Sequence, residues 1–145
     1  MKTISMVLVA LAIILIGVAN AQSSCPVSAT IPFDFYVADE LLPAGEYATC
    51  TIARRTVIVR AEDSPWRAAA AMFFITSKAK ISDTVTSKLI FNKYSDQRIF
   101  LSQIWREGAN DGVSLPKSRR ERDSVTSQLI TGNRPTILTV LAKAR

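Results

Sequence analysis

The 145-residue chain carries 18 Lys and Arg against 12 Asp and Glu, two Cys and no His. At this length one domain is expected, and without an imidazole neither a Ser-His-Asp triad nor a His-ligated metal site can form. A hydrophobic share of 48% with 21% charged residues also excludes a wholly disordered chain.

The first 21 residues read as an export signal. Lys2 supplies a positive start, residues 6–19 form an uncharged apolar run, and Ala19-Asn20-Ala21 puts small residues where signal peptidase reads them. Cleavage is expected between Ala21 and Gln22. An uncleaved anchor is disfavoured because the run is short of the roughly 20 residues that cross a bilayer. Gln22-Ser23-Ser24 before Cys25 lacks the aliphatic residue of a lipobox. Residues 22–145 are therefore expected outside the cytoplasm, periplasmic or extracellular, with no transmembrane segment after cleavage and no nucleic-acid partner from the cell interior. In such an oxidising compartment Cys25 and Cys50 are expected to form a disulfide. The alternative is two buried, unpaired thiols in neighbouring strands. A catalytic thiol would lack a histidine to activate it.

Residues 27–37 alternate: Val27, Ala29, Ile31, Phe33, Phe35 and Val37 point one way, which predicts a half-buried strand. Pro32 cannot donate to a ladder, so this strand is expected at an edge or bulged. Leu42-Pro43-Ala44-Gly45 reads as a turn, and 47–53 and 56–61 as two short strands. Glu62-Asp63-Ser64-Pro65 is a break. Residues 66–76 combine four alanines, which favour helix, with phenylalanines between β neighbours, and are read as a strand. Residues 88–94 and 98–105 form a hairpin around Ser95-Asp96-Gln97. All eleven aromatic residues lie between Phe33 and Trp105, so the core is expected there. Ser118-Arg119-Arg120-Glu121 fits a capping box, in which Ser118 accepts from a backbone amide and Glu121 reaches back. Gly132 and Pro135 supply the stop, predicting a helix at about 119–130. Residues 136–142 close the chain as a last strand. The expected fold is mainly β: a single antiparallel β-sandwich or partly closed barrel over residues 22–145, with one C-terminal helix.

The phrases Ile31-Pro32-Phe33-Asp34-Phe35, Leu42-Pro43-Ala44-Gly45-Glu46-Tyr47, Leu89-Ile90-Phe91-Asn92-Lys93-Tyr94, Phe100-Leu101-Ser102-Gln103-Ile104-Trp105 and Leu115-Pro116-Lys117-Ser118 span most of residues 31–122. In these the chain resembles a family of small exported proteins of acidobacterial soil bacteria. The resemblance implies a β architecture and carries no activity.

Carboxylates are the remaining candidates for acid–base chemistry. Asp34, Asp96 and Asp111 are not brought together by spacing, and glycosidase-type chemistry needs two carboxyls about 5–10 Å apart. P-loop, dinucleotide and calcium motifs are missing, so no metal or cofactor is called for. Charge is uneven: residues 22–53 hold four carboxylates and no Lys or Arg, whereas residues 54–145 hold 17 basic and eight acidic groups. Either the two parts pack against each other, or a basic surface meets acidic partners. The densest basic segment holds Lys117, Arg119, Arg120 and Arg122, and it is the candidate contact for anionic polysaccharide or lipid headgroups. A solvated helix face is the plainer reading of it. Trp66, Trp105 and Tyr94 are expected in the core, with sugar stacking as the alternative. A membrane barrel is disfavoured because the strands lack an outward aliphatic band with aromatic girdles. The expected function is a non-catalytic exported binding or envelope-structural module. A small extracytoplasmic hydrolase using carboxylates is the alternative, with no residue nominated.

Overall fold

A computed structural model describes residues 25–52, 55–76 and 86–145. The export signal and the Ala21–Gln22 cleavage position lie outside the described residues. In chain order the elements are β1 (Val27–Ile31), β2 (Phe35–Val37), β3 (Glu40–Leu42), β4 (Gly45–Ile52), β5 (Thr56–Ala61), β6 (Ala68–Met72), β7 (Phe74–Thr76), β8 (Lys88–Lys93), β9 (Ile99–Trp105), β10 (Gly112–Ser114), α1 (Arg119–Thr131), β11 (Thr136–Leu141) and β12 (Lys143–Ala144). One sheet runs β12-β1-β4-β5-β6; the other runs β11-β8-β9-β10-β7, with β2 beside β9 and β3 paired to β2. Every pairing is antiparallel except β2 with β9, which meet at Tyr36 and Phe100. The fold is mainly β, a sandwich partly closed into a barrel, with one helix near the C-terminus.

Closure comes from segments that belong to both sheets. The run 27–37 alternates as its sequence predicts, burying Val27, Ala29, Ile31, Phe35 and Val37. It is two strands rather than one. At Pro32-Phe33-Asp34 the chain leaves the first sheet and enters the second, where proline's missing N–H costs no ladder bond. Residues 68–76 repeat the device: β6 lies in the first sheet and β7 in the second, with buried Phe73 between them. β11 and β12 do the same around buried Ala142. Strand therefore prevails over the helix propensity of Ala68–Met72, because Ala69 and Ala71 face the core at period two.

The core is aromatic where the sheets face each other. Phe35 packs edge-on against Tyr47 and Phe91, with centroids 5.1 and 5.4 Å apart, and Phe33 meets Phe91 at 5.2 Å. Tyr47 is fully buried, and its hydroxyl donates to the Pro43 carbonyl at 2.7 Å. The Asp34 carboxylate accepts from the Ala44 amide at 2.9 Å, tying the inter-sheet crossover to the 42–45 turn. Gly112 is required for close approach. A Cβ there would lie 2.7 Å from the Trp105 ring, which is itself buried over the β10 backbone.

Candidate functional site

Cys25 and Cys50 are joined in a disulfide that ties the chain ahead of β1 to the middle of β4. No described helix is long and apolar enough to cross a membrane.

The basic segment opens α1. Ser118 caps it as predicted, accepting from the Glu121 amide at 3.2 Å, and Gly132 ends it at φ +70°. The other half of the capping box is replaced. Glu121 turns its carboxylate into the molecule, where it is 4% exposed and accepts from the Tyr94 hydroxyl at 2.7 Å and the Asn92 amide at 3.3 Å. Lys117 completes this cluster, donating to the Tyr94 hydroxyl at 2.9 Å and standing 3.6 Å from the Glu121 carboxylate. Further along, Ser124 donates to Asp96 at 2.7 Å, and Gln128 accepts from the Ser95 amide at 3.0 Å. The helix thus docks through Glu121, Ser124 and Gln128, while Leu129 and Ile130 face solvent.

Docking absorbs part of the predicted cationic contact. The Arg120 guanidinium lies 5.9 Å from the Tyr36 ring centre, and its backbone N–H donates to Asp39 at 2.9 Å. That backbone hydrogen bond holds the Asp39 carboxyl below its ordinary range; burial opposes it, while the Ser118 hydroxyl and the charges of Arg120 and Arg122 act in the same direction. Arg122 donates to the Lys117 carbonyl at 3.0 Å and stays exposed. Arg119 is exposed on the solvent side of the helix. The acidic N-terminal part and the basic C-terminal part therefore meet at Asp39, whereas Glu62, which Arg145 contacts at 2.9 Å, forms an ion pair within the basic part.

The buried phenols give a pH expectation. Burial raises Tyr94, which the Lys117 hydrogen bond opposes and Glu121 reinforces, and burial likewise raises Tyr47. For Lys117 burial favours the neutral amine, but the bonds to Tyr94 and Glu121 outweigh it and hold the amine above its ordinary range. All three keep protons in the fold that the unfolded chain releases near pH 10, so their stabilisation is intact below that pH and lost above it. Urea midpoints are expected to fall between pH 9 and pH 11; equal midpoints would contradict the assignment.

The carboxylates singled out in the sequence stay apart in role. Asp34 and Asp96 organise backbone, Asp96 accepting from the Arg98 amide at 3.1 Å, and Asp111 sits on the loop before β10. Glu46 and Glu62, which spacing did not connect, share a groove of about 410 Å³ beside β12. A glycosidic general acid is kept protonated by apolar surroundings. Glu46 and Glu62 are both exposed, and Glu62 is paired with Arg145.

The aromatic expectation needs correction at one residue. Tyr94 and Trp105 are buried, but Trp66 is 92% exposed. It sits on the β5–β6 connection, braced by an Asp63–Arg67 ion pair, by the Arg67 amide donating to the Ser64 carbonyl at 3.1 Å, and by the Ala61 amide donating to the Arg67 carbonyl at 2.8 Å. Pro65 beside it lines a depression of about 260 Å³ with Arg60, Glu62 and Arg145. The apolar run had suggested burial, but Trp66 precedes β6 and belongs to the turn. The Ser64-Pro65 step was the signal in the sequence that could have shown it. No protein-family model, curated protein or solved structure matches the chain.

Proposed function

We propose that the chain is a non-catalytic, exported binding module that holds an acidic polysaccharide of the cell envelope, with Trp66 as the stacking platform. The observation that carries this reading is a fully exposed tryptophan on a turn held rigid at both ends. An indole in water is poor for solubility, and a braced turn presents it with little ordering cost on contact. Pyranose rings offer the apolar C–H face that such a surface stacks upon. Arg60 and Arg145 in the neighbouring depression, and Arg67 on the same turn, supply donors for sugar carboxylates. The exposed Arg119 and Arg122 add a second, purely electrostatic contact. The disulfide supports the extracytoplasmic part of the reading, because such bonds persist in oxidising compartments.

Two variants separate stacking from charge. Trp66→Ala is expected to weaken binding to polygalacturonate roughly thirtyfold, the cost of truncating a tryptophan hot spot at about 2 kcal/mol, with the salt dependence unchanged. Arg119→Gln combined with Arg122→Gln is expected to weaken it less and to flatten the salt dependence. The measurement is a calorimetric titration over a salt series, with thermal melts as the control for folding. Failure of the wild type to bind at low salt would reject the proposal. Binding to anionic vesicles in place of the polysaccharide would reject the carbohydrate assignment.

A further inference from the structure

The two sheets leave an apolar cavity at the end of the sandwich opposite the Trp66 turn. In the first sheet, the Trp66 connection follows the Tyr47–Ala61 pair, whereas the cavity begins at Thr49, Thr51 and Val57, several residues along β4 and β5. Its volume is about 260 Å³. Val27 and Val57 line it from the first sheet; Phe73, Ile104 and Val113 line it from the other side. Two charged residues, Arg106 and Asp111, stand where it opens, both on the β9–β10 loop and both exposed. Gly108, at φ +72°, and the Ala109 amide, donating to the Arg106 carbonyl at 3.2 Å, shape that loop. Among the described residues no carboxylate is within ion-pair reach of Arg106.

We infer that this cavity binds a small amphiphilic monocarboxylate, with its hydrocarbon part between the sheets and its head at Arg106. Three observations select that class. At roughly 30 Å³ for a water-sized group, the space holds about nine such groups, the size of a medium-length acyl chain. The lining is mostly aliphatic and aromatic, its charged groups are the exposed Arg106 and Asp111, and the one buried polar side chain, Thr49, already donates to the Val27 carbonyl at 3.2 Å. The excess of basic over acidic groups draws anions, and Arg106 offers a planar fork to a carboxylate. Asp111 on the same rim repels a second negative charge, so one carboxylate is favoured over two. This site shares no residue with the Trp66 surface, and its test is independent of polysaccharide binding.

The experiment titrates octanoate, octanol and octanedioate into the oxidised wild-type protein by calorimetry. One octanoate per chain is expected, with octanedioate at least tenfold weaker. Arg106→Gln is expected to weaken octanoate about tenfold and to leave octanol unchanged. Thr51→Trp, at an exposed lining position, is expected to block both ligands while the thermal melt stays cooperative. No octanoate binding at millimolar concentration would overturn the inference. So would binding that ignores both variants, because the ligand would then sit elsewhere.

Discussion

Replacing Glu121 by alanine is expected to destabilise the fold by about 2–3 kcal/mol, the range for a lost hydrogen bond to a charged group plus the orphaned partners. Tyr94 is 3% exposed, so its hydroxyl would lose its acceptor in a place water scarcely reaches. The ion pair with Lys117 adds little, because the lysine side chain is 51% exposed and screened. Tyr94→Phe removes the orphaned hydroxyl in advance, so the double variant is expected to cost about 1 kcal/mol less than the sum of the single ones. Urea unfolding of the four proteins measures this coupling. Additive losses would show that the carboxylate and the phenol stabilise the fold independently.

Loss of the disulfide is expected to cost about 3 kcal/mol, from the chain entropy of a loop closed over 25 residues. Cys25→Ala with Cys50→Ala is the cleaner comparison, since both variant side chains stay apolar and Cys50 is 4% exposed in the sheet. At this chain length the loss corresponds to a fall in Tm of roughly 10 °C. A melt unchanged by the double substitution would show that the start of β1 is held by its ladders with β4 and β12 without help from the disulfide.

Strand alternation, turn chemistry and helix caps were legible because each is written in neighbouring residues. The two strands at 47–53 and 56–61, the hairpin 88–105, the Ser118 cap and the Gly132 stop all lie within that range. The change of sheet at Pro32-Phe33-Asp34 was not legible, because inward and outward positions continue to alternate through the crossover. Only the partner strands differ, and those come from β4 on one side and β3 and β9 on the other. Glu121 was misread for a similar reason. A capping-box glutamate and a buried acceptor have the same local pattern, and the choice was made by Tyr94, 27 residues away. The cationic segment was found by composition, and all four of its residues are exposed, but that Lys117 and Arg120 also contact the sheet side depends on Tyr36, Asp39 and Tyr94. The cavity mouth left no local trace, since Arg106 and Asp111 look like any charged hairpin loop.

Tryptophan quenching by acrylamide tests the central claim most directly, because the chain has two tryptophans, one 92% and one 5% exposed. Without ligand the emission should divide into a freely quenched component from Trp66 and a protected one from Trp105, and Trp66→Phe should remove the first. Saturating polygalacturonate at low salt is predicted to shield the quenched component while leaving the protected one unchanged. Quenching of Trp66 that is the same with and without the bound polymer would contradict the account.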